Sequence, residues 1–206
     1  GYLDTPGYAN SVTVVGARAY VTDARDNNAG TAGGLAIVDV SDPAHPVQRG
    51  RIETPDSATS VAVRNNLAYV TAMTSGLRVI DVSNPAVPHE IGFIDTPGDA
   101  QDVSVAVRGN KVVAFVADLF WGVRIIDVTN PARPVEISHL PQDPGALWTG
   151  VAVHGSYLYV TNAITDFRLD GMYVMDVSDL NAPRFVGFAR ARRAMGVTLK
   201  DDRAYV

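Results

Sequence analysis

Two residue sets in the sequence have the types needed for chemistry. Carboxylates recur at Asp39, Asp81, Asp127 and Asp176, and the histidines are His45, His89, His139 and His154. Carboxylates and imidazoles serve as metal ligands or as general acids and bases when folding gathers them. Here no two histidines have the short spacing of a metal site, and H-E-x-x-H, G-x-S-x-G, G-x-x-x-x-G-K-[ST] and G-x-G-x-x-G are all missing. Each recurring Asp stands just before a Ser/Thr-Asx turn that ends in Pro43, Pro85, Pro131 or Leu180. Carboxylates in that place accept backbone N–H groups, so turn chemistry outranks catalysis for all four. Asp23, Asp26 and Asn28 put oxygens into one Gly-rich loop, a weak candidate Ca²⁺ site. Their order misses the D-x-[DN]-x-[DN]-G pattern, so a solvated loop is the leading expectation and no cofactor is assigned. With no cysteine, thiolate sites and disulfides drop out.

The turn belongs to a repeat. Its copies lie 42, 46 and 49 residues apart, and each follows an apolar run opened by Gly34, Gly76, Gly122 or Gly171. A unit of about 45 residues is the scale of a propeller blade. Within a unit the apolar period is two, which predicts strands and almost no helix. The first strand carries Val12/Val14, Val61/Val63, Val105/Val107, Val151/Val153 and Val197/Leu199, with small residues on its other face, including Ser11/Thr13, Ser60/Ala62 and Ser104/Ala106. Large against small suits an innermost strand near a crowded axis. The second strand repeats as Ala19-Tyr20-Val21, Ala68-Tyr69-Val70, Ala114-Phe115-Val116, Leu158-Tyr159-Val160 and Ala204-Tyr205-Val206, with the aromatic in the core or between blades. Third strands are expected over 35–40, 77–82, 123–128 and 172–177, and fourth strands over 47–52, 89–94, 135–140 and 184–189.

The fold expected is all-β: a β-propeller of four-stranded antiparallel blades, an incomplete segment of a longer propeller, with five-blade closure and a flat solenoid as lesser alternatives. One propeller unit spans 1–206: a blade-end strand at 1–6, repeats at about 9–54, 58–96, 101–142 and 148–190, and a partial blade at 195–206.

Ile37-Val38-Asp39-Val40-Ser41-Asp42-Pro43, its sister Val79-Ile80-Asp81-Val82-Ser83-Asn84-Pro85 and the Thr-Pro-Gly at 96–98 resemble the LVIVD-repeat family. Tyr159-Val160-Thr161-Asn162 also matches the related YVTN-type propeller repeats. The resemblance runs the whole chain; Leu180 for Pro and the long connections at 22–34 and 141–148 depart from it. It implies an exported or cell-surface protein, extracellular in setting, with no established reaction.

In such a meander the connections between second and third strands share one face with the connections between blades. On that face they are long and varied, and such loops are where binding resides. They collect Phe120, Trp121, Trp148 and Phe167, with Asp118, Asp166 and Arg168 nearby. Clustered rings with polar handles fit a protein, peptide or carbohydrate partner at a cell surface. The competing expectation is that Trp121 and Trp148 seal the blade interface. Net charge is −5 and basic residues are scattered except at Arg190, Arg192 and Arg193, which argues against nucleic acid. No apolar run approaches the ~20 residues that span a bilayer. The functional expectation is a non-catalytic binding scaffold outside the cytoplasm; a propeller enzyme, lyase or hydrolase, assembled on the loop-rich face, or a purely structural module, are the alternatives.

Overall fold

Alternating Val-rich segments separated by short turns form eighteen strands in the computed structural model, which describes residues 1–26, 28, 30–140, 146–163, 170–201 and 203–206. No helix occurs among the described residues. Blade one is β1 (Tyr8–Val15), β2 (Arg18–Ala24), β3 (Gly34–Asp39) and β4 (Val47–Glu53). Blade two is β5 (Ser60–Arg64), β6 (Leu67–Thr71), β7 (Leu77–Asp81) and β8 (His89–Ile94). Blade three is β9 (Asp102–Arg108), β10 (Lys111–Ala117), β11 (Val123–Asp127) and β12 (Val135–Leu140). Blade four is β13 (Trp148–His154), β14 (Tyr157–Asn162), β15 (Gly171–Asp176) and β16 (Arg184–Arg190). A hairpin of β17 (Thr198–Lys200) and β18 (Arg203–Tyr205) follows. Each blade is an antiparallel meander paired in chain order.

The turns between third and fourth strands explain the recurring Asp. Asp39, Asp81, Asp127 and Asp176 each accept the N–H two residues on, at 2.8–3.0 Å. The Asx two positions before the Ala or Asn of each turn repeats the bond: Asp42 to Ala44, Asn84 to Ala86, Asn130 to Ala132 and Asp179 to Asn181. The Ser hydroxyls, and after them the Ser N–H groups, hold Asp39, Asp81 and Asp176 below the ordinary carboxylate range.

Successive sheets pack face to face, always in the same sense. Tyr20, Leu35 and Ile37 of blade one meet Val61, Val70 and Ile80 of blade two. Tyr69, Leu77 and Val79 of blade two meet Val103, Val116 and Ile126 of blade three. Phe115, Val123 and Ile125 of blade three meet Val151, Leu158 and Val160 of blade four. Polar side chains stitch successive units as well: Asn10 Nδ2 donates to Ala58 O between blades one and two, Thr59 Oγ1 to Ala100 O between blades two and three, and Thr149 Oγ1 to Ala194 O between blade four and the segment leading to β17, at 2.8–3.0 Å. At two of the three blade interfaces the outer strand approaches the next blade's turn so closely that only glycine fits. A Cβ on Gly50 would lie 2.1 Å from Pro85 O and one on Gly92 2.2 Å from Pro131 O, while at the matching Ser138 the hydroxyl donates to Leu180 O.

The first strands are innermost, as their large-and-small alternation requires: residues of β1, β5, β9, β13 and β17 line one axial channel of about 480 Å³. The sheets form an open arc, since the outward valines of β1 remain exposed. One register differs from the sequence expectation. Phe115 pairs with Ser104 as Tyr69 pairs with Ala62, so Asp102, the counterpart of Ser60, joins Ser104 and Ala106 on the small face. The cause is the β9–β10 hairpin, which pairs seven residue couples where β5–β6 pairs five and so displaces the motif by two.

Candidate functional site: the loop-rich face and the axial channel

Two loops join second to third strands with the same backbone. In blade two, Ala72 N donates to Gly76 O and Ser75 N to Ala72 O, both at 2.9 Å; in blade three, Asp118 N donates to Gly122 O and Trp121 N to Asp118 O, both at 2.9 Å. Met73 and Leu119 share a left-handed backbone, with φ of 42° and 47°. Each also forms a bridge to the first-strand entry of the next blade, Met73 to Ala100 and Leu119 to Trp148. What differs is the cargo at the tip: Thr74 and Ser75 in one loop, Phe120 and Trp121 in the other.

Beneath the aromatic tip lies a buried polar anchor. Asp118 accepts Thr96 Oγ1 at 2.6 Å, Gly98 N at 3.1 Å and Arg124 Nε at 3.2 Å. Arg124 also donates to Trp121 O at 2.9 Å and to Glu136 Oε1 at 3.3 Å. Asp118 is therefore fully buried and holds the loop; it is not the surface handle expected from the sequence. The Trp121 ring lies on Gly98, where a Cβ would fall 2.7 Å from its Cδ1. Phe120 and Trp121 stay half exposed, Trp121 at 48%.

Trp148 is placed otherwise. It is 6% exposed and packs edge-to-face on Tyr173 in the core shared by blades three and four, so only its backbone meets the aromatic loop. Its position as the first residue of β13, on the face shared with Val151's cluster, turns the ring inward. Trp148 thus drops out of the four-ring platform, while Phe120 and Trp121 stand on the loop-rich face. Phe167, Arg168 and Asp166 lie outside the described residues.

The acidic loop of blade one turns toward the protein. Asp23 is buried, accepts Gly7 N at 3.0 and 3.2 Å, and sits 3.7 Å from Arg51; Asp26 Oδ1 accepts Asn28 N at 2.8 Å. Among the described residues no three His, Asp or Glu side chains gather as metal ligands. His45 pairs with Asp42 and His139 with Glu136, each on its own turn or strand and exposed.

Asp102 belongs to none of the motifs that the sequence offers, and the structure brings it into the site. It stands in the channel wall at the loop-rich mouth, where Oδ1 accepts Ser60 Oγ at 2.6 Å and Val103 N at 2.9 Å, and Oδ2 accepts Val151 N at 2.8 Å. One carboxyl therefore ties three blades. Burial pushes its pKa up, and the hydrogen bonds pull against that rise. The clue in the sequence was an acid on a face where every sister strand places Ser or Gly.

The LVIVD repeat profile matches residues 6–54, 55–96, 97–140 and 149–189. The chain belongs to the LVIVD repeat family. No curated protein matches this LVIVD chain. Among solved structures it is similar to the periplasmic gluconolactonase PpgL of Pseudomonas aeruginosa, at TM-score 0.70 and 13% identity over 88% of this chain and 57% of that one. It is also similar to the computationally designed Ika4 protein, at TM-score 0.60 and 10% identity over 84% of this chain and 93% of that one. The LVIVD chain thus spans little more than half of the gluconolactonase, and at these identities the likeness is to the propeller fold alone.

Proposed function

We propose that this LVIVD chain is a non-catalytic binding scaffold of the cell surface or extracellular space, taking a protein, peptide or carbohydrate partner on Phe120 and Trp121. The observation that carries the reading is the pair of matching loops. Thr74 and Ser75 satisfy the same backbone, so the fold has no need of two half-exposed rings at the tip of the second loop. Rigid rings on an anchored loop give contact area at little cost in rotamer freedom. The reading requires no cofactor. It predicts that the graft Phe120→Thr with Trp121→Ser, which copies the sister loop, keeps the fold by circular dichroism and loses capture on glycan and peptide arrays. Equal capture by the graft and the parent would sink it.

A second reading, a hydrolase or lyase, rests on Asp102, whose raised pKa suits proton transfer. The gluconolactonase among the structural neighbours gives lactones as the first substrates to try. Against it, Asp102 is the one titratable group lining the channel among the described residues, and its oxygens already accept three protein donors. Lactone hydrolysis that Asp102→Asn abolishes would establish it.

A further inference from the structure

One mouth of the axial channel in this LVIVD chain is basic. Every first strand runs along the channel from the loop-rich face and turns into its second strand at the opposite mouth. In the four blades those turns are 15–18, 64–67, 108–111 and 154–157. They hold Arg18, Arg64, Arg108, Lys111 and His154 and neither Asp nor Glu, in a chain where 22 acidic residues outnumber 17 Lys and Arg. Blades two, three and four, which carry all of these but Arg18, have packed neighbours on both sides.

Arg108 is the unusual cation among them. The β9–β10 hairpin is two residue couples longer than β5–β6, and the Arg108 side chain reaches back from its end until the guanidinium carbon lies 6.0 Å from the centroid of Phe115, on the face turned to blade four. Nη1 donates to Val107 O at 3.3 Å, while Nε and Nη2 are buried and meet no acceptor among the described residues. Those two nitrogens form the edge with which a guanidinium grips an oxyanion in two-pronged fashion, and burying them unpaired costs free energy. Arg51 and Arg78 also bury an unpaired Nε, yet both have carboxylates at their other nitrogens. Here Asp127 is taken by Lys111, the residue directly opposite Arg108 in the hairpin. Like charges facing across two strands destabilise the pair, and a counter-ion relieves them. Among the described residues Arg18, Arg64 and His154 have no ion pair either.

We propose that this mouth binds an oxyanion, the carboxylate or phosphate group of a small ligand, gripped by Arg108 Nε and Nη2 with Arg64 and His154 on the flanking blades. The channel behind it, about 480 Å³ and walled by Thr13, Ser104, Thr198 and small apolar residues, receives the rest of the ligand. Charges of one sign around the mouth of a cleft focus the field and raise the local concentration of the opposite ion. The site involves neither Phe120 nor Trp121, which lie at the other end of the blades, and stands apart from the binding reading above.

The test is isothermal titration calorimetry at constant ionic strength, with inorganic phosphate in one arm and succinate in the other, and circular dichroism to verify that each variant folds. The parent should bind at least one of the two anions saturably, and the arm that binds tells phosphate from carboxylate. Arg108→Met should weaken that binding at least about tenfold. Arg64→Gln, at an exposed position that the fold does not need, should weaken it as well. Arg49→Met, which removes a cation already paired with Asp39 on the same side of the protein, should bind like the parent. No saturable binding of either anion, full affinity in both Arg108→Met and Arg64→Gln, or an equal loss in Arg49→Met, the mark of diffuse surface charge, would each overturn the proposal.

Discussion

The Trp148 ring stands edge-on to Tyr173, with centroids 5.1 Å apart and planes at 75°, inside the interface between blades three and four. Truncating a buried ring loses its transfer free energy and leaves a cavity. Trp148→Ala should therefore destabilise the fold by about 3–5 kcal/mol. Trp121→Ala, at the exposed loop tip, should shift stability by about 0.5 kcal/mol or less. Chemical denaturation of the two variants separates core from surface directly.

Asp118 and Arg124 form a buried pair whose oxygens and nitrogens also hold Thr96, Gly98 and the Trp121 carbonyl. Removing one partner strands the other without solvent. Asp118→Ala should cost about 3–5 kcal/mol. It should also free the Phe120–Trp121 loop, so tryptophan fluorescence of the variant should show greater solvent relaxation at temperatures where the fold persists.

Gly92 and Gly187 occupy the same place in their outer strands, paired with Val79 and Val174. A Cβ at Gly92 would meet the Pro131 carbonyl, while nothing lies within 4 Å at Gly187. Gly92→Ala should therefore destabilise by about 1–3 kcal/mol through overpacking. Gly187→Ala should be neutral or slightly stabilising. Paired thermal melts measure the difference, and an equal loss at both sites would mean that blade packing is not what requires the glycine.

Two opposite pH dependences should coexist. The carboxyls of Asp39, Asp81 and Asp176 titrate lower folded than unfolded, so the stability they add is present above the unfolded value near 3.9 and is lost as pH falls through the folded values. Asp102 titrates higher folded than unfolded, so its contribution is full below the unfolded value and is lost as pH rises through the folded one. Replacing Ser41, Ser83 and Ser178 with Ala should flatten the acid limb of the melting temperature against pH. Asp102→Asn should flatten the limb above about pH 4 and leave the acid limb in place.

The repeat turns, the period-two runs and the inner placement of the first strand were legible in the sequence because local rules decide them. Asp39 caps its own turn whatever lies beyond it, and alternating valines specify a strand with two unlike faces. Two things were not local. Whether Trp148 faced solvent or core depended on Tyr173 and Val151 closing over it across a blade interface, and a loop-adjacent position in the chain carries no sign of that. That Asp102 reaches the axial channel depended on a hairpin two couples longer than its sister's, and on Ser60 and Val151 arriving from two other blades to bind its oxygens. The sequence by itself determined the blades and their unlike faces. The tertiary structure alone decided which aromatic rings remain in solvent and which carboxyl is drawn into the wall of the channel, because both follow from surfaces that exist only once neighbouring blades have packed.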